Sequence, residues 1–296
     1  MTQRLLICTD LDRTLIPNGP QPEPVGARKR FARLAARPEV TLAYVSGRHR
    51  ELIEEAIVTY RLPAPDYVIG DVGTSMYHVG PQHDWVHVET WEEQIAADWA
   101  GHRHEELRAA LRDVPTLRLQ ERAKQNRLKL SFYLPLHAEI DDLAARIHER
   151  LRPLGIRYRL IWSVDDIADI GLLDVLPERA SKLHAIEALS RMQGFDLEHT
   201  VFCGDSGNDL EVLASRVPAV LVANSRPEVQ DLALELAEEA GTLRQLYIAE
   251  GGFLGMNGNY AGGMLEGIAH FHPRVAAWLD EDPPGDELPR AQGGAA

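Results

Sequence analysis

The feature that most limits what this chain can become is a recurring order. A short run of Val, Ile and Leu closes on a polar knot, and a helix-like stretch follows. RLLICTD closes on acids, VTLAYVSG on Ser-Gly-Arg, and PDYVIGDVG and HTVFCGDSG on Gly and Asp, with PAVLVANS a further run of the same kind. Between them, ARKRFARLAAR carries Phe31, Leu34 and Ala35 at helical spacing, a helix is expected from about Arg50 to Tyr60, and NDLEVLASR reads as another. Strands that alternate with helices bury both faces in a mostly parallel sheet covered on each side. The expected fold is therefore α/β, a doubly wound parallel sheet with a Rossmann-like core. Ligands of such sheets bind beyond the carboxyl ends of the strands, where the polar knots fall here.

The middle of the chain breaks the pattern. A long polar helical stretch, EEQIAADWAGHRHEELRAALRD, precedes the alternating RLKLSFYLP, a helix HAEIDDLAARIHERLRP, and strands IRYRLIWS and DIADIGLLDVLP. This reads as an α+β unit inserted over 85–170, with the sheet-forming core over 1–84 and 171–274. The remainder, 275–296, is expected to be the C-terminal end and a disordered tail, because DEDPPGDELPRAQGGAA is rich in Pro, Gly and charge. The stretch GGFLGMNGNYAGGMLEG lacks the GK[ST] ending of a phosphate-cradling loop and is expected as an irregular surface loop at the rim of the site.

A formal charge of −14 excludes broad binding to nucleic-acid backbones, which needs a basic face. It leaves room for a small anion, since a metal ion and a few cations make a local positive pocket. Cys8 and Cys203 lie inside apolar runs and read as small buried strand residues. Asp10 interrupts the first apolar run too early for a signal peptide, and no stretch approaches the ~20 apolar residues of a membrane span. The expectation is a cytoplasmic protein without membrane contacts.

Asp10 and Asp12, at i and i+2, can approach one spot where a strand ends. Burying two unpaired like charges is costly, and a bound cation turns that cost to use. GDSGND places Asp205 and Asp209 at a second strand end, with Gly204 and Gly207 allowing a tight turn. Each cluster alone could be a solvated turn or helix cap. Together, their oxygen-only donors suit a hard cation that keeps some waters, which points to Mg²⁺. Ser46 and Gly47 in VSGR offer a hydroxyl and backbone N–H groups, and Lys182 opens a helix-like segment with Ser181 as its cap, a good anchor for phosphate. Arg48 reads either as a surface ion-pair partner of Glu51 or Glu55 or as a contact to substrate. His102, His104 and Glu106 read as a solvated helix face, and His270 and His272 as structural.

In their order along the chain, TDLDRT, VSGR, Lys182 and GDSGND resemble the four motifs of the haloacid dehalogenase superfamily. The large insert between the second and third motifs is similar to that superfamily's second type of cap domain. Within it, SGR, PDYVIGDVGTSMYH, KLSFY, DVLPERASK, VFCGDSGND, VLVANSRPEV and GGMLEGIAHFHP resemble sucrose-phosphate phosphatases and close relatives over about 270 residues. Two departures stand out: Arg13 sits where a small polar residue is expected, and the stretch before GGMLEG is longer than expected.

The resemblance implies an Mg²⁺-dependent phosphatase acting on a sugar phosphate. Asp10 is the nucleophile and Asp12 the acid and base. Asp10, Asp205 and the carbonyl of Asp12 are metal ligands, with Asp209 and Asn208 in support. Ser46, Gly47 and Lys182 grip phosphate, and Thr14 ties the loop to the nucleophile. The cap acts as a lid, and Lys129, Asn126, Gln125 and Arg48 are candidates to read the sugar, with Trp91 or Trp162 as stacking faces. Alternation in RLKLSFY puts Lys129, Ser131 and Tyr133 on one face, so this strand could line the cavity. The substrate implied is sucrose 6-phosphate, with mannosylfructose phosphate, glucosylglycerol phosphate or a glycosyl-phosphoglycerate as alternatives. A non-catalytic module docking on a sugar-phosphate synthase is the reading from another class.

Overall fold

The computed structural model describes residues 4–165 and 168–280. The chain opens with β1 (Leu5–Thr9), α1 (Ala27–Ala35), β2 (Val40–Val45), α2 (Arg50–Tyr60), β3 (Tyr67–Gly70), β4 (Ser75–Val79) and β5 (Trp85–His87). It continues through α3 (Glu89–Ala96), α4 (His104–Leu111), β6 (Arg118–Leu119), β7 (Leu130–Leu134), α5 (Ile140–Leu151), β8 (Tyr158–Asp165) and β9 (Ile170–Pro177). It returns as α6 (Lys182–Gln193), β10 (Thr200–Gly204), α7 (Leu210–Leu213), β11 (Ala219–Leu221), α8 (Pro227–Glu239), β12 (Leu246–Ile248), α9 (Ala261–Phe271) and α10 (Arg274–Asp280).

Two sheets result. The larger has eight strands in the order β12-β11-β10-β1-β2-β3-β4-β5. Pairing is parallel from β12 to β3 and antiparallel from β3 to β5. In the central strand β1 every residue is buried, and its side chains alternate between two cores. Leu6 and Cys8 join one, Leu5 and Ile7 the other. That accounts for an unbroken apolar run where a half-exposed strand would alternate with polar residues. Cys8 and Cys203 are free and buried. The smaller sheet is antiparallel, in the order β6-β7-β9-β8. Leu107 and Leu111 of α4 and Leu143, Ile147 and Leu151 of α5 belong to one hydrophobic cluster with Leu130, Phe132, Leu134, Leu173 and Val175 of this sheet. No helix among the described residues is long and apolar enough to cross a membrane.

Sheet membership differs from the expected segment 85–170 at both ends. Trp85 and His87 pair with Val79 and Tyr77 in the large sheet, while the whole of β9, through Pro177, pairs in the small one. An edge strand of three residues leaves little trace in a sequence pattern. β9 is greasy enough to suit either sheet.

The polar helical stretch also divides. Ala100 and Gly101 take positive φ after a single turn at Ala97–Trp99. Buried Asp98 fixes that corner, accepting from the amide and guanidinium of Arg179 and pairing with Arg157. Of the segment expected from 275 onward, α10 is helical, with Val275 and Leu279 buried and the Arg37 and Arg274 guanidinium groups over the Trp278 ring at 4.3 and 5.3 Å. The tail expected to be disordered lies, beyond Asp280, outside the described residues.

The glycine-rich stretch overturns a local reading. Only its first part is irregular. AGGMLEG begins α9, and residues 261–269 are all buried. The glycines let this helix lie close to its neighbours. A Cβ at Gly267 would stand 2.3 Å from the Val220 side chain, and one at Gly263 would stand 2.0 Å from the Gly258 carbonyl oxygen. Gly263→Ala should therefore destabilise the protein by about 1–3 kcal/mol, because backbone cannot yield as a side chain does. An unchanged thermal midpoint would contradict this packing.

Candidate active site

The site forms where β1 and β10 end side by side. Thr9 pairs with Cys203 in the parallel register, and the Asp10 amide carries the ladder on by donating to the Cys203 carbonyl at 2.9 Å. Asp10 thereby leaves the sheet beside the turn that follows β10. One carboxylate oxygen each from Asp10, Asp205 and Asp209 lies within 4.8 Å of the others, and all three residues are buried. Gly204 makes the turn fit, since a Cβ there would sit 2.5 Å from an Asp209 oxygen. That Asp209 oxygen, Oδ2, accepts from the amides of Asp205 and Ser206, both at 3.1 Å. Thr14 donates to Asp205 at 3.3 Å.

Three buried carboxylates repel one another, and Lys182 answers the repulsion. Its Nζ, itself buried, donates to Asp10 at 3.0 Å, Asp209 at 2.7 Å and Asn208 at 2.9 Å. Burial works against the charged lysine, but the two carboxylates more than offset it and hold its pKa above the ordinary value. Burial pushes Asp10 up to about 7, against the pull of Lys182 and with the repulsion of Asp209. Asp205 is pushed from 3.8 to about 8, by burial first and then by Asp209 and Asp10.

The Asp12 carboxylate takes another direction. Arg48 grips it with two bonds of 2.7 and 2.6 Å, and Asn18 donates to it at 2.7 Å. Ser46 is buried at the end of β2, and Gly47 beside it is exposed. The Ser46 carbonyl accepts from the Val72 amide at 3.2 Å. Asp71 and Val72 both have positive φ, 51° and 60°, a strained state for a β-branched residue that costs about 1–3 kcal/mol. Gly73 follows at φ +91°, where a Cβ would stand 2.6 Å from the Ser181 carbonyl. Segment 71–73 thus wedges between the end of β2 and the start of α6, where the Ser181 hydroxyl caps the helix by accepting the His184 amide at 3.2 Å.

The candidate sugar readers sit elsewhere in this network. Lys129 pairs with Asp71 at 3.3 Å, both buried. Asn126 donates to the Thr74 hydroxyl at 2.8 Å, and the buried Trp91 donates its indole N–H to the Gly73 carbonyl at 3.0 Å. These three stitch the insert to segment 71–75. Gln125 is held by the backbone of Gln120 and Ser131. Ser131 donates to Asp174, and Tyr133 donates to Glu121 at 2.6 Å. The Trp162 ring packs over Gly171. Gln125 and Asn126 also line a concavity of about 770 Å³ within the insert, with Arg103, His104, Gln120 and Arg127 among its walls and none of the carboxylate cluster. His102 pairs with Glu106 at 3.3 Å, and His270 stacks on Tyr247 at 4.3 Å. Burial holds His272 down at about 4.

Sequence reasoning passed over Asn18, Asp71 and Asn224, and noted Arg13 only as a departure. Arg13 stands 3.3 Å from Asp205, and the Asn224 amide group donates to the Arg13 carbonyl at 2.7 Å. Asn224 lies within VLVANSRPEV, but nothing in that string says which loop it clasps.

A mostly parallel α/β sheet with an inserted α+β unit, and aspartates and a lysine converging at its strand ends, defines a hydrolase of the haloacid dehalogenase type. The chain belongs to the sucrose-6F-phosphate phosphohydrolase family, whose model matches residues 3–272. A relative from Nitrosococcus oceani, named only at the level of a HAD-like hydrolase, is 51% identical over 95% of this chain and 75% of its own length. An Arabidopsis thaliana protein named probable sucrose-phosphatase 2 is 28% identical over 90% of the chain, which spans 60% of that protein. A mannosylfructose-phosphate phosphatase from Agrobacterium fabrum is 27% identical over 90% of the chain and 96% of its own length. Among solved structures, the sucrose-phosphatase of Synechocystis sp. PCC6803 in complex with sucrose and phosphate matches 91% of this chain and 98% of its own, at 27% identity and a TM-score of 0.71.

The raised Asp205 pKa fixes the sign of a pH effect. Between 3.8 and about 8 the folded chain holds a proton that the unfolded chain has released, so metal-free stability falls as pH rises through that window. Thermal midpoints in chelator should decline from about pH 5 to about pH 8, and excess divalent cation should flatten the decline. A rise across that range in chelator would contradict the assignment.

Proposed function

We propose that the protein is an Mg²⁺-dependent phosphatase of a sugar phosphate, with sucrose 6-phosphate as its substrate. The observation that carries this reading is the convergence of Asp10, Asp205, Asp209 and Lys182, from three distant segments, on one buried spot. The donor set fits the ion. Carboxylate oxygens alone, on a backbone tied by hydrogen bonds, suit a hard cation. Asp10 and Asp205 would hold it, with the Asp12 carbonyl as a further ligand and Asp209 in support. When bound, Mg²⁺ offsets the charge of the carboxylates and of the phosphoryl group.

The remaining steps belong to this chain's side chains. Asp10 attacks phosphorus, a P–O bond to its carboxylate forms, and the bond to the sugar oxygen breaks. Asp12 delivers a proton to the departing oxygen and later takes one from the water that releases phosphate. Lys182 orients Asp10 and faces the phosphoryl oxygens, and Ser46 and Gly47 complete the grip. The insert excludes water and reads the sugar, tied to the core through Asp71, Thr74 and Gly73.

The family match and the Synechocystis complex support sucrose 6-phosphate. The Agrobacterium relative supports mannosylfructose phosphate at the same identity, so the choice between these disaccharide phosphates falls to experiment. Asp10→Asn should lower turnover by about three orders of magnitude or more while leaving the fold intact. Asp12→Ala should retain Mg²⁺ and stall on turnover. Wild-type rates from Asp10→Asn would refute the nucleophile. In a phosphate-release panel, disaccharide phosphates should outrun monosaccharide phosphates and nucleotides. The reverse ranking would move the protein out of this substrate class. Docking on a sugar-phosphate synthase is a separate proposal, tested by co-purification.

A further inference from the structure

We infer that Arg13 is a resident counter-cation for Asp205, a positioning residue that competes with the divalent ion and sets how tightly it binds. The inference rests on reading Asp10, Asp205 and Asp209 as the cation site. Its own ground is how the charges are shared. Lys182 contacts Asp10 and Asp209, and no ion pair between Lys182 and Asp205 falls within 4.0 Å. Asp205 instead faces the Nε of Arg13, 3.3 Å from its Oδ2, while its Oδ1 accepts from Thr14.

The arginine is held there by its backbone. It has φ 57°, a left-handed conformation that a side-chain-bearing residue adopts only when its surroundings hold it. Two asparagines do so. Asn18 accepts the Arg13 amide at 2.8 Å, and Asn224 donates to its carbonyl at 2.7 Å. Asn224 is fixed in turn by accepting the Tyr260 amide at 2.7 Å. The guanidinium turns one nitrogen to the Asn224 carbonyl at 3.3 Å. Its Nε is buried and has no hydrogen-bond partner, and its ion-pair partner among the described residues is Asp205. The Arg13 side chain is 29% exposed against 4% for Asp205, which puts the guanidinium at the mouth of the cluster.

This placement has two consequences. Without metal, Arg13 is the ion-pair partner of Asp205 and favours its ionised form against burial and the neighbouring carboxylates. With metal, a fixed positive charge a few ångströms away opposes binding, and water screens it little so close to buried groups. Removing the charge should tighten Mg²⁺ binding, whereas removing a merely structural side chain would loosen it.

Calorimetric titration of Mg²⁺ into the metal-free full chain tests this without reference to turnover. The proteins compared are wild type, Arg13→Met, Arg13→Gln, Arg13→Lys and Asp205→Asn. Expected are about tenfold or greater tightening in Arg13→Met and Arg13→Gln, near wild-type affinity in Arg13→Lys, and loss of binding in Asp205→Asn. In chelator, the two neutral variants should also melt below wild type. Unchanged or weaker binding in both, with wild-type binding intact and Asp205-dependent, would overturn the role of Arg13 and leave the cation site standing. Tightening in Arg13→Lys as large as in Arg13→Met would overturn it too, because charge would not be the cause. A wild-type protein that binds no Mg²⁺ would overturn the cation site itself and this inference with it.

Discussion

Repulsion among three buried carboxylates, held in check by one buried lysine, is the interaction on which the rest of the structure depends. Like charges in a poorly solvated pocket drive their own protonation or the opening of the pocket. Both tendencies are limited here: burial and mutual repulsion raise Asp10 and Asp205, while Lys182 bridges two of the three and the turn after β10 donates backbone amides to one of them. The lysine can do this only if the start of α6 is pressed against the ends of β1 and β10. A serine cap and the close approach of Gly73 put it there. Electrostatics at the centre therefore sets a demand on packing some distance away.

Segment 71–75 meets that demand and a second one. It carries backbone strain at Asp71 and Val72, touches the end of β2 and the start of α6, and receives Lys129, Asn126 and Trp91 from the insert. Strain of this kind persists only where the surroundings over-determine it. The same few residues that seat Ser46 and Lys182 also anchor the insert, so any shift of the insert bears directly on the Ser46 and Lys182 side of the site. Two of the polar residues expected to read a sugar, Lys129 and Asn126, are among those that make that anchor.

Much of the architecture was legible in the linear pattern, for a physical reason. A parallel sheet buried on both faces requires continuous apolar strands, and tight turns at their ends require Gly and Asp, so β1, β2, β3, β10 and β11 and their motifs announce themselves. Where burial and exposure do not alternate cleanly, the pattern misleads. β5 is too short to leave a signal. β9 is apolar enough for either sheet. The glycines of α9 looked like loop residues, because a sequence does not show that a helix lies so close to Val220 and Gly258 that a Cβ cannot fit.

The sequence by itself determined the central strands β1, β2, β3, β10 and β11, that acids close β1 and β10 while a lysine opens a helix between them, and that an α+β unit interrupts the sheet. Those follow from local rules of burial, turn geometry and residue spacing. Only the tertiary structure decided which acids share one spot and which does not. Asp12, two residues from Asp10, turns to Arg48, whereas Asp205, far along the chain, lies against Asp10. It also decided that Arg13 faces Asp205. Such pairings depend on the register of β1 against β10 and on clasps such as Asn224 to Arg13, and both act between segments that are remote in sequence and adjacent only in space.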